Sequence, residues 1–193
     1  AMAADIKTFM ESQWIHHATI MGHSMGGKVA MEIAVEYPDL IENLIVVDIG
    51  PKQYQPGHDI IMKALERVPV GEIDSRSEAQ EVLAESLDDL GVRQFLLKNL
   101  SRSKDGGYRW KMNLSVIIKN YEEILKPISS EKPYNGPTLF IRGEKSNYIM
   151  PEDHSMIRDL FPISEIKTVS GAGHWVHAEN REDLVELVRG FMG

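Results

Sequence analysis

The sequence predicts an α/β fold, a parallel sheet flanked by helices on both faces and interrupted by a helical insertion. Three observations predict it. Short β-prone runs alternate with amphipathic helical periods at both ends of the chain, which is the pattern of strands joined by crossover helices. Glycine-rich turns connect several of these strands to the next helix or loop. The stretch from Lys52 to Pro133, in contrast, carries mainly helical spacing separated by chain breakers.

Met2, Ile6, Phe9 and Met10 keep helical spacing from the first residues and give a helix ending near Gln13. Ala18-Thr19-Ile20-Met21 is expected as a buried strand that reaches Gly22. From Met25 to Tyr37 the spacing of Met25, Val29, Ile33 and Ala34 gives an amphipathic helix, which Pro38 cannot continue. Leu44-Ile45-Val46-Val47 is a second buried strand; it ends at Asp48, and Gly50-Pro51 turns the chain. In the insertion, Ile60, Ile61, Ala64, Leu65 and Val68 form one apolar set and Phe95, Leu96 and Leu100 another, while Gly106-Gly107 before Tyr108-Arg109-Trp110 suggests a hairpin tip. Strands return at Thr138–Ile141 and Ile166–Val169, with a helix between them from about Pro151 to Leu160. Asn180 can cap the last helix, with Asp183 at the capping-box position and Leu184, Leu187, Val188 and Phe191 along one face. The expected division is thus a core of residues 1–51 and 134–193 around an insertion of residues 52–133.

Composition narrows the function. At 193 residues the chain is long enough to bury roughly 70% of its unfolded surface in one domain with an insertion. It has no cysteine, which removes disulfides, thiolate metal sites and a cysteine nucleophile together. A net charge of −8 without a basic cluster argues against nucleic acid and against anionic membrane surfaces. No run approaches the roughly 18 apolar residues of a membrane span, and no basic start leads into an apolar signal core, so membrane insertion is not expected and the cytoplasm is the expected location. The histidines form no H-x-x-x-H pair on a helix; neither a metal nor a cofactor is expected.

The chemistry concentrates in Gly22-His23-Ser24-Met25-Gly26-Gly27, a G-x-S-x-G sequence between a strand and a helix. A tight turn there exposes the serine hydroxyl above the carboxyl edge of the sheet and needs glycines beside it to avoid side-chain clashes. It also aims the Met25 N–H, close to a helix N-terminus, at an oxyanion developing on a substrate. The bland alternative is that Ser24 merely caps the helix in a phosphate-loop-like turn, but the spacing fits neither G-x-G-x-x-G nor a P-loop. A serine hydroxyl attacks only if a base removes its proton. His174, in Gly171-Ala172-Gly173-His174-Trp175 just after the last strand, is the candidate; His177 is its rival, and a turn histidine bonded only to backbone is the bland alternative. His23 is expected to pack, its side chain leaving the turn away from the serine.

Together with Val46-Val47-Asp48-Ile49-Gly50-Pro51 and Gln94-Phe95-Leu96-Leu97-Lys98-Asn99-Leu100, these motifs resemble the α/β-hydrolase superfamily over nearly the whole chain, and more narrowly the small bacterial YbfF-like acyl esterases. The resemblance implies a serine esterase acting on a small carboxylic ester or thioester through a Ser-His-Asp triad and an acyl-enzyme. The usual superfamily acid would fall where this chain has Ser146. Some members instead carry it on the strand after the nucleophile, which implies Asp48, since strand carboxyl ends share one edge. Glu144 and Asp153 are the fallback acids, and for Asp48 the bland alternative is a residue bracing the Gly50-Pro51 turn. The insertion would act as a lid, with Phe95, Trp110, the Leu96-Leu97 pair and Trp175 as candidate substrate-pocket residues. Members of the family have further strands before the nucleophile strand and draw a second oxyanion N–H from a loop among them. Only 23 residues precede Ser24, so the expectation is that a segment before Ala1, or a partner, completes the sheet. The same fold also serves carbon–carbon bond hydrolases and lyases, and an inactive or binding fragment is the remaining alternative.

Overall fold

A computed structural model describes residues 1–104 and 106–193. The chain divides into two compact units, Ala1–Gln53 with Lys126–Gly193, and Tyr54–Leu125.

The first unit opens with α1 (Met2–Ser12), β1 (Ala18–His23), α2 (Met25–Glu36) and β2 (Ile41–Val47). A single 3-10 turn over Pro38–Leu40 separates α2 from β2, because proline supplies no amide to extend the helix.

The second unit holds α3 (Asp59–Arg67), α4 (Arg76–Ala84), α5 (Leu90–Leu97), the antiparallel pair β3 (Leu100–Arg102) and β4 (Tyr108–Trp110), α6 (Leu114–Lys119) and α7 (Tyr121–Leu125). Three of its helices start on side-chain caps, Ser75, Asp89 and Asn113, which accept the amides of Glu78, Val92 and Val116. Its core is its own: Leu65, Val68, Leu83, Leu97 and Leu100 are all buried within it. The second unit is narrower than the stretch from Lys52 to Pro133. The Ile128 N–H donates to the Pro51 carbonyl and the buried Lys28 ammonium to the carbonyls of Lys52 and Lys126, which ties residues 126–133 to the first unit.

The first unit resumes with β5 (Thr138–Gly143), α8 (His154–Leu160), β6 (Ser164–Val169), α9 (Val176–Glu179) and α10 (Arg181–Met192). Its four strands form one parallel sheet in the order β1-β2-β5-β6. Side chains alternate across it. Ile45, Val47, Leu139 and Ile141 face α10 and cluster with Leu184, while Gly27 of α2 packs close to Val46 on the other face. Phe140 is fully buried and meets the Phe161 ring edge-on at 5.5 Å.

The β1 strand departs from the expectation of a buried strand. It lies at the edge of the sheet, its residues are half-buried, and Met21 is 47% exposed, because among the described residues β2 alone pairs with it. No helix among the described residues is long and apolar enough to cross a membrane.

Candidate active site

Register brings the site together. His23 pairs with Val47 and Val47 with Ile141, so β1 and β2 finish in one row beside Ile141 of β5, and Ser24 and Asp48 are the next residue after β1 and β2 respectively. The ladder carries one step further: Ser24 N–H donates to Val47 O at 3.0 Å and Asp48 N–H to Ile141 O at 2.7 Å. Both residues then turn sharply, with φ of 53° at Ser24 and 50° at Asp48, a left-handed region that residues other than glycine seldom occupy.

The turn at Ser24 is made by its neighbours. A Cβ on Gly22 would stand 2.1 Å from the Gly26 carbonyl oxygen, and one on Gly27 would meet Ile49 at 2.5 Å. Gly26, the second glycine of the G-x-S-x-G sequence, has open space around it. The steric demand for glycine therefore falls on positions 22 and 27 and not on position 26. Met25 begins α2, where an amide has no intrahelical acceptor.

Ser24 makes no cap with its side chain. Its hydroxyl lies 3.0 Å from His174 Nε2, and His174 Nδ1 lies 2.7 Å from Asp48 Oδ2. Because a carboxylate only accepts, Nδ1 carries the proton toward Asp48 and Nε2 is left to accept from the serine. Asp48 is fully buried, and two more donors reach it: the Gly143 N–H at 2.8 Å to Oδ1 and the Ser146 hydroxyl to Oδ2. A buried carboxylate with three donors is compensated for leaving water.

The other candidates lie elsewhere. Glu144 accepts from the Gly171 N–H and the Ser170 hydroxyl, and the Gly171 hydrogen bond first, then that of Ser170, lowers its pKa. Asp153 is paired with Lys52 at 2.6 Å and accepts the Met150 N–H. His177 is exposed, and its ring sits 4.8 Å from that of His23. Phe95 and Trp110 pack, partly buried, against the core of the second unit, and Trp175 is half-buried next to His174 in the chain. Among the described residues no cluster of three or more His, Asp or Glu could hold a metal ion.

Four further residues bear on the site. Tyr148 stacks on the His174 ring at 3.9 Å and 17°. His23 packs as expected, but against His174: its Nε2 donates to the His174 carbonyl at 2.8 Å, and burial lowers its pKa. Ser146 is, in sequence, only an unexpected residue at the usual acid position, yet its hydroxyl bonds Asp48. Glu179 receives the N–H groups of Gly173 and Trp175 on either side of His174.

A parallel sheet flanked by helices, with a serine turned out at the end of one strand beside a histidine from the last loop, defines the class, and the chain belongs to the alpha/beta hydrolase fold family, whose model it matches over residues 1–181. Among individual proteins it is similar to the sn-1-specific diacylglycerol lipase ABHD11 of Mus musculus, 38% identical over 200 residues that cover all of this chain and 64% of the relative. It is also 34% identical to the esterase YbfF of Escherichia coli, covering all of this chain and 74% of that protein. A solved structure of a marine microorganism esterase superposes with a TM-score of 0.93 at 38% identity, covering 98% of this chain and 75% of that one. The chain spans slightly less than two thirds of the length of the vertebrate relatives, 62–64% of each.

Proposed function

We propose that this protein is a serine esterase hydrolysing small carboxylic esters or thioesters through an acyl-enzyme. The observation that carries it is the unbroken hydrogen-bond chain from the Ser24 hydroxyl through His174 to Asp48. Ser24 Oγ attacks the carbonyl carbon while its proton passes to His174 Nε2, and Asp48 holds the resulting imidazolium by its Nδ1–H. The negative charge moves to the carbonyl oxygen, which faces the Met25 N–H at the start of α2. Collapse breaks the bond to the alkoxide or thiolate, which takes the proton from His174 and leaves. Water then repeats the sequence on the acyl-serine with His174 as base, releasing the carboxylic acid and restoring the hydroxyl. Similarity to proteins named as esterases and lipases supports the choice of bond.

Steady-state hydrolysis of short p-nitrophenyl esters tests it. Ser24→Ala is expected to leave only background, and Asp48→Asn to lower kcat by as much as about 10⁴-fold through loss of the required tautomer. Full turnover in either variant would contradict the proposal.

A further inference from the structure

The loop that delivers His174 contains Gly171, at φ 72°, and Gly173, so its backbone has more freedom than a catalytic position tolerates. Each end of this loop is tied by a carboxylate. Glu144 holds Gly171, and Glu179 reaches back to the residues that flank the histidine: Oε2 accepts the Gly173 N–H at 2.7 Å and Oε1 the Trp175 N–H at 3.2 Å. In a capping box the carboxylate that takes the N-cap amide, here that of Trp175, stands at the third helical position; Glu179 stands at the fourth. The shorter bond goes past the cap, to the amide on the far side of His174.

We infer that Glu179 is a positioning residue for the proposed hydrolase reaction, setting the His174 backbone by gripping the peptide amides on both sides of it. This rests on the Ser24–His174–Asp48 assignment and deepens it. The imidazole must satisfy Ser24 at 3.0 Å and Asp48 at 2.7 Å at once. A backbone shift of about 1 Å spoils both contacts, a misplacement that can cost about 10²-fold in rate. Two further restraints act on different atoms: His23 on the His174 carbonyl and Tyr148 on the face of the ring. Neither replaces an acceptor for the two amides. The charged acceptor also makes these bonds stronger than a neutral one would.

Titration of active sites with a fluorophosphonate, followed by kcat per titrated site on a short p-nitrophenyl ester, separates positioning from mere folding. Glu179→Ala is expected to lower kcat per titrated site about tenfold or more, with KM within about twofold. Glu179→Gln keeps one carbonyl acceptor and is expected to recover part of that rate, remaining about threefold below the unaltered protein. A role confined to folding would lower the melting temperature and the titratable fraction but leave kcat per site unchanged, and that result in the glutamine variant, the one better able to fold, overturns the inference. Ser24→Ala run alongside distinguishes the two levels: hydrolysis surviving in it overturns the esterase assignment and the inference together, whereas an inactive Ser24→Ala beside unchanged Glu179 variants overturns the inference alone.

Discussion

His23 shows how much a single half-buried side chain does at this site. Its Nε2–H holds the His174 carbonyl, and burial, the largest cause, lowers its pKa from the ordinary 6.5. As pH falls through 6.5 the unfolded chain takes up a proton that the folded chain does not, so this residue's contribution to stability is complete above 6.5 and is lost as pH drops through the lowered value. Replacing it with glutamine keeps an N–H for the carbonyl and removes the titration. Thermal melts at about pH 7.5 and about pH 5.5 should therefore show a smaller fall in Tm for His23→Gln than for the unaltered protein. Equal falls would contradict the burial argument. Residues at this scale are unevenly legible in sequence. Ser24 and His174 announce themselves by glycine-rich turns after strands, because a strained turn constrains its neighbours as well as itself. Ser146, Glu179 and Tyr148 do not, since a hydroxyl, a carboxylate and a ring meet the site through tertiary contacts that no local spacing encodes.

At the level of elements, the turn from β1 into α2 decides whether Ser24 is presented at all. Space for it comes from Gly22 and Gly27, where an added methyl would meet the Gly26 carbonyl oxygen at 2.1 Å and Ile49 at 2.5 Å. Gly22→Ala is expected to cost about 1–3 kcal/mol through overpacking against backbone that cannot move away. Gly26→Ala enters open space inside a helix and is expected to be neutral or to gain up to about 1 kcal/mol. Urea denaturation midpoints measure the difference, and equal midpoints would contradict the steric account. The G-x-S-x-G pattern locates the turn but not the position under pressure, because that depends on how tightly α2 folds back over β1. Strand positions are legible from their apolar runs, with each one extended in the structure by two or three residues: β5 reaches Gly143 and β6 begins at Ser164.

Across the whole molecule, a parallel sheet converts sequence distance into proximity. Ser24 and His174 are 150 positions apart and His174 and Asp48 are 126 apart, yet all three meet because β1, β2, β5 and β6 point their carboxyl ends the same way. That much is implied by alternating strands and helices. The division of the chain is less legible: residues 126–133 carry the breakers typical of the insertion, but they hydrogen-bond with the first unit, through pairings such as Ile128 with Pro51 that no composition signals. What the assembled sheet is proposed to deliver is one activated hydroxyl among all the serines of the chain. Peptide-resolved mass spectrometry after fluorophosphonate treatment measures this directly. A single phosphonyl adduct on the peptide containing Ser24, lost when His174 is changed to alanine, is the expected result. An adduct on a different residue, or one that forms at Ser24 just as fast without the His174 imidazole, would contradict it.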